Sequence, residues 1–105
     1  MEISDKQRSL ARFWKKFLRL TRGRVTVLRT LELASEEEKD PDFKRVIQDV
    51  RKKLDSGAQL SEALREHPAD FSPSVVELVR AAEKSGAWDE ILVEITDGLS
   101  EGTFE

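Results

Sequence analysis

Residues Arg80 to Leu92 read RAAEKSGAWDEIL. Upstream, Val75, Val76, Val79 and Ala82 recur at helical spacing and predict a helix running to about Lys84. Downstream, Trp88, Ile91, Leu92, Ile95 and Leu99 mark the apolar face of another. Only Ser85-Gly86-Ala87 separates the two, so the chain must reverse within a few residues. Glycine permits that reversal, because the left-handed backbone that ends a helix costs a residue with a Cβ about 1 kcal/mol or more. Asp89 and Glu90 then fall in the first turn of the new helix, where carboxylates suit the helix dipole. Trp88 is expected to anchor the returning helix in the core.

The same device is expected at Gly57 and at Gly23, each lying between two apolar-periodic segments. The first segment, about Asp5 to Arg22, presents Leu10, Phe13, Trp14, Phe17 and Leu18, with Thr21 on the same face. A second helix, roughly Val25 to Glu38, turns Val27, Leu28, Leu31 and Ala34 inward. Asp40-Pro41 opens a third: Asp40 caps and Pro41 takes the first helical position. Its stripe is Phe43, Val46, Ile47, Val50 and Leu54. A short fourth helix holds Leu60, Ala63 and Leu64 and stops before Pro68. Ser72 caps the fifth helix, Pro73 starts it, and Phe71 faces Val76 as a hydrophobic staple. The turn and cap residues are therefore Gly23, Gly57, Ser72, Pro73, Ser85 and Gly86. No strand alternation or hairpin signal is present. The expected fold is all-α: a compact antiparallel bundle of about six helices arranged as three helical hairpins. One domain is expected over residues 1–105, with a core from about 10 to 99. The ends, Met1 to Ser4 and Glu101 to Glu105, are expected to fray.

Composition removes most reactive chemistries. The 105 residues include no cysteine and one histidine, His67. Disulfides and thiolate metal sites are thereby excluded, and a histidine-based metal or nucleophile constellation is not expected. His67 is expected near the end of the fourth helix, where a cation is favoured. The acidic run Glu36-Glu37-Glu38 with Asp40 and Asp42 has no EF-hand spacing and reads as a solvated helix end. No triad, P-loop or dinucleotide fingerprint occurs, and Ser61 and Ser72 read as helix-start residues. We expect no catalytic residue, cofactor or metal. No stretch nears the ~20 apolar residues of a membrane span, and MEISDKQRSLARF lacks the apolar run of a signal peptide.

Charge is distributed unevenly. Net charge is -3, yet Asp5 to Thr30 carries nine Lys or Arg against one acid. Leu31 to Glu105 carries nine basic and nineteen acidic residues. On the first helix Arg8, Arg12, Lys15, Lys16, Arg19 and Arg22 fall mostly opposite the apolar face. That face reads either as a plain solvated surface or as one that meets an anionic membrane surface or an acidic protein partner. The acidic remainder makes nucleic acid an unlikely partner. Glu83, beside the Ser85-Gly86 turn, is either a partner contact or a structural charge, paired with Arg80 or simply on the helix surface.

The run Gly57-Ala58-Gln59-Leu60-Ser61-Glu62-Ala63-Leu64 is followed by His67-Pro68, Phe71-Ser72-Pro73, Glu83-Lys84-Ser85-Gly86 and Asp89-Glu90-Ile91-Leu92. In order and spacing these resemble the type II secretion system F-protein domain of inner-membrane platform proteins in type II secretion and type IV pilus assembly. The resemblance covers roughly Phe13 to Leu99. It implies a compact six-helix bundle in the cytoplasm or on the cytoplasmic face of the inner membrane. It also implies a non-enzymatic role linking the assembly ATPase and other inner-membrane components to pilin or pseudopilin assembly, with a homodimer as a further possibility. Members are usually longer, with two such domains and transmembrane helices. They often have glycine where Ala82 stands, and a proline in the second-helix entry that here reads Gly23-Arg24-Val25-Thr26-Val27-Leu28. Two rival readings remain. One is a tetratricopeptide-like adaptor, because Gly23 and Gly57 lie near that repeat's ~34-residue period. The other is nucleic-acid binding through the basic first helix.

Overall fold

The computed structural model describes residues 5–101, with side chains for residues 5–99. Six helices follow one another: α1 Asp5–Arg22, α2 Val27–Glu37, α3 Pro41–Asp55, α4 Leu60–Arg65, α5 Pro73–Ser85 and α6 Trp88–Glu101. No strand occurs among the described residues. Each helix packs on the next, and α1 also packs on α6, so the six close into a ring around one core. That closure rules out the open superhelix of a tetratricopeptide array. The Cα radius of gyration is 12.6 Å, against about 13 Å for a compact chain of this length. The expectation that the ends fray falls on residues 1–4 and 102–105, outside the described residues, except at Glu101, which is the last residue of α6.

The core is built on aromatics from distant parts of the sequence. Phe13, Trp14 and Phe17 of α1 are fully or almost fully buried, as are Phe43 of α3 and Phe71 before α5. Phe13 is the hub. Its ring centroid lies 5.1 Å from Trp14 and 5.6 Å from Phe43, both edge-on, and 6.0 Å from Phe71. Edge-to-face pairs at this range add stability beyond the area they bury. Leu31, Ile47, Leu64, Val79, Leu92 and Ile95 fill the space between the helices. Lys6 of α1 forms an ion pair with Asp70, in the turn between α4 and α5, and the Asp70 side chain is 7% exposed.

The helix starts follow the capping chemistry. Ser72 Oγ accepts from the Val75 N–H at 3.3 Å with Pro73 in the first turn, and Asp40 accepts from the Asp42 N–H ahead of Pro41. The structure moves the start of α2 from Val25 to Val27. Thr26 is the cap, its hydroxyl accepting from the Arg29 N–H at 3.1 Å. The inward arc of α2 also differs from expectation: Thr30 and Ser35 are buried with Leu31 and Ala34, while Leu28 stays partly exposed. The Thr30 hydroxyl has no hydrogen-bond partner among the described residues. Trp88 is half-buried at the start of α6, packed against the core and not inside it.

The turns correct one glycine. Gly57 and Gly86 have φ of 105° and 79°, the left-handed backbone expected of them. In the first turn the left-handed residue is Arg24, at φ 66°, and not Gly23. The hydrogen bonds give the reason. The Val25 N–H reaches Leu20 O and the Arg24 N–H reaches Thr21 O, both at 3.0 Å. The Ala58 N–H to Lys53 O and Gly57 N–H to Leu54 O bonds repeat that pattern. In both turns the left-handed residue stands directly before the longer-range donor. Gly57 falls on that position, whereas Gly23 comes one residue too early.

Candidate interaction surface

α1 is amphipathic, and burial of its apolar face fixes its rotation. With Leu10, Phe13, Trp14 and Phe17 turned to the core, Arg8, Arg12, Lys15, Arg19 and Arg22 are all exposed. Their spacing of three or four residues places them in one line along the helix, a span of about 21 Å at the helical rise. The Arg12 guanidinium donates to Ser9 Oγ at 3.1 Å. Arg22 Nε lies 3.7 Å from an oxygen of Asp89 on α6, both side chains being more than half exposed. No carboxylate among the described residues forms an ion pair with Arg8, Lys15 or Arg19. The acids of α1 are limited to Asp5, in its first turn.

Lys16 departs from this line. Its side chain is 17% exposed and paired with Glu37 of α2. That contact, first through a hydrogen bond and then through charge, holds the Glu37 carboxyl below the ordinary carboxylate range. Beside the pair lies an open groove of about 400 Å³ bordered by Arg12, Phe13, Lys16, Ala34, Glu38 and Lys39. The acidic residues of this corner go to different partners. Glu38 accepts from the Asp40 N–H, Asp40 caps α3, and Asp42 pairs with Arg45. Among the described residues no three acidic or histidine side chains converge as a metal cluster would.

Glu83 has a partner that neither sequence reading anticipated. One carboxylate oxygen accepts from the Ser61 N–H at 2.8 Å and the other from the Ser61 hydroxyl at 2.6 Å. Ser61 lies in the first turn of α4, where backbone N–H groups lack partners within the helix. Glu83 thus caps α4 from the last turn of α5, and no ion pair with Arg80 is found among the described residues. Glu62 completes the helix start, its carboxylate accepting from the Gln59 N–H at 2.9 Å. Ser85 Oγ accepts from the Ala87 N–H at 3.1 Å, fixing the turn at Gly86. The only sequence sign of the Glu83–Ser61 clamp was the presence of both residues in the quoted motif, 22 positions apart.

His67, just beyond α4, sets its Nε2 2.7 Å from an Asp49 oxygen. The same oxygen takes a hydrogen bond from Lys53 at 2.6 Å, and Lys53 reaches Glu66 at 2.9 Å. Lys53 is the larger cause, and His67 the second, of an Asp49 carboxyl held below its usual range. Asp49 and Glu66 in turn raise the Lys53 ammonium above its usual range. This chain of charges fastens α3 to the end of α4. Ion pairs were legible in the charge content, but His67 and Asp49 lie 18 residues apart with no local signal to join them.

These features define a closed helical bundle whose most unusual surface is the outward face of a helix. No helix among the described residues is long and apolar enough to cross a membrane. The family described as type II secretion system (T2SS), protein F, matches residues 13–102, and the chain belongs to that family. Three relatives are called type IV pilus assembly protein PilC. The one from Myxococcus xanthus is 29% identical over 80 residues, covering 76% of this chain and 19% of its own length. That from Thermus thermophilus is 33% identical over 85 residues, covering 81% and 21%. That from Pseudomonas aeruginosa is 25% identical over 87 residues, covering 83% and 23%. The chain spans about a fifth of the length of these relatives.

Proposed function

We propose that this chain is a non-enzymatic interaction module of an inner-membrane assembly platform for type II secretion or type IV pili, acting on the cytoplasmic side. It would dock the assembly ATPase and other components of the machine through exposed helix faces. The observation that carries this reading is the family match over residues 13–102, together with relatives named for type IV pilus assembly. The geometry is compatible with it. The apolar residues converge on one core, and the outward surface offers lines of charge, foremost Arg8, Arg12, Lys15 and Arg19 on α1. Glu83 holds α4 on α5.

The test is photocrosslinking in cells that build the machine. A crosslinking residue replaces Lys15 on α1, Gln48 on α3 or Arg65 on α4, all exposed. Crosslinks to the assembly ATPase or to inner-membrane subunits of the same apparatus are expected from at least one face. Crosslinks between copies of the chain would reveal self-association in the same experiment. Products confined to proteins outside secretion and pilus machinery would overturn the reading.

A further inference from the structure

We propose that the outward stripe of α1, Arg8, Arg12, Lys15, Arg19 and Arg22, is a peripheral docking surface for an anionic phospholipid bilayer. The inference rests on the platform reading above and names what this face meets.

Three observations carry it. The first is an uncompensated local cost. Like charges four residues apart on a helix repel, and α1 holds Arg8 with Arg12 and Lys15 with Arg19 in that spacing. The chain has 21 acidic residues, yet α1 takes one of them, Asp5. Lys6, Lys16 and Arg22 of α1 meet carboxylates of other elements, whereas Arg8, Arg12, Lys15 and Arg19 form no ion pair among the described residues. The second is the make-up of the face. Protein interfaces are centred on buried anchors, with aromatic residues and arginine enriched and lysine depleted, and arginine hot spots sit in fully desolvated pockets of the partner. Every aromatic of α1 is buried in the bundle: Phe13 is 4% exposed, Trp14 1% and Phe17 0%. A line of cations about 21 Å long, with Asp5 before its first member and Asp89 beside its last, suits a plane of diffuse negative charge. It has no apolar side chain to insert. The third is orientation. The rest of the chain is acidic, including the exposed Glu90, Glu94 and Asp97 of α6. Acids outnumber Lys and Arg outside α1, so the attraction to an anionic plane comes chiefly from this face. Each cation beside such a leaflet strengthens partitioning about fivefold, and the attraction decays within a Debye length of about 8 Å at physiological salt.

The test uses the purified chain with vesicles of phosphatidylcholine alone and of phosphatidylcholine mixed with phosphatidylglycerol. The stripe variant carries Arg8→Gln, Arg12→Gln, Lys15→Gln and Arg19→Gln. The control removes four other exposed cations, through Lys52→Gln, Arg65→Gln, Arg80→Gln and Lys84→Gln. Both variants should melt close to the parent, since all eight side chains face solvent. The parent should bind only the phosphatidylglycerol vesicles and release them as salt rises. The stripe variant should bind at least about 50-fold more weakly, and the control within a few-fold of the parent. Absence of parent binding, or equal loss in stripe and control variants, overturns the proposal. So does a stripe variant that keeps its vesicle binding but loses its crosslinks to platform proteins, because the face is then a protein dock. In that last case the platform reading stands.

Discussion

Arg24 shows how finely a turn is specified. Its φ of 66° is one that side-chain-bearing residues adopt at a cost of about 1 kcal/mol or more. Gly23, one residue earlier, does not have a positive φ, and a Cβ there would meet Leu20 O at 3.4 Å and Arg19 O at 3.6 Å, ordinary contact distances. Arg24→Gly should therefore raise stability by about 0.5–1 kcal/mol, Gly23→Ala should be nearly neutral, and Gly57→Ala should lower stability by about 1 kcal/mol. Thermal or urea melts of the three variants check the order. Equal losses at Gly23 and Gly57 would mean that the two turns share one geometry after all. Glycine content announced that the chain turns between residues 22 and 27. It did not announce which residue bears the left-handed backbone, because that depends on which carbonyl each amide reaches.

At the scale of elements, the Glu83–Ser61 clamp and the Asp49 cluster hold the shortest helix in place. α4 has six residues, too few to be stable without its neighbours. Glu83→Ala should cost about 1.5–3 kcal/mol, the usual loss for hydrogen bonds to a charged group. Ser61→Ala should cost less, since the Ser61 N–H remains. In the double variant the two losses should fall short of their sum, and strict additivity in a double-mutant cycle would show that the carboxylate is not clamped. Asp49 adds a pH signature. Its folded-state pKa is lowered, so its contribution is present above the ordinary carboxylate value, about 4. That contribution is lost as pH falls through the lower folded value. Asp49→Asn should melt below the parent near neutral pH, and the two melting curves should converge as pH drops well under 4. A constant offset down to strong acid would contradict the assignment. Helix existence was readable here from apolar periodicity, from Asp40-Pro41 and from Ser72-Pro73. The clamp was not, because it joins side chains brought together only by tertiary packing. Thr30, polar yet fully buried, likewise followed from how α2 lies in the ring and from nothing in its own pattern.

For the whole molecule, the decisive feature is that α1 belongs to the core. Its aromatics touch Phe43 and Phe71, and its side closes the ring against α6. Because that contact fixes the rotation of α1, the cationic stripe faces outward as a rigid line. The amphipathic pattern of residues 5–22 predicted the two faces correctly, but it placed Lys16 with the stripe. The structure gives Lys16 to Glu37, since a position at the edge of the polar arc lies within reach of the neighbouring helix. Native-state hydrogen exchange resolved by residue tests this arrangement most directly. Central amides of α1 (Phe13 to Phe17) and of α6 (Leu92 to Thr96) should exchange only through global unfolding, with one shared free energy and one shared denaturant slope. If the α1 amides exchange at a distinctly lower free energy while α6 stays protected, α1 is an appendage, and the closed ring is contradicted.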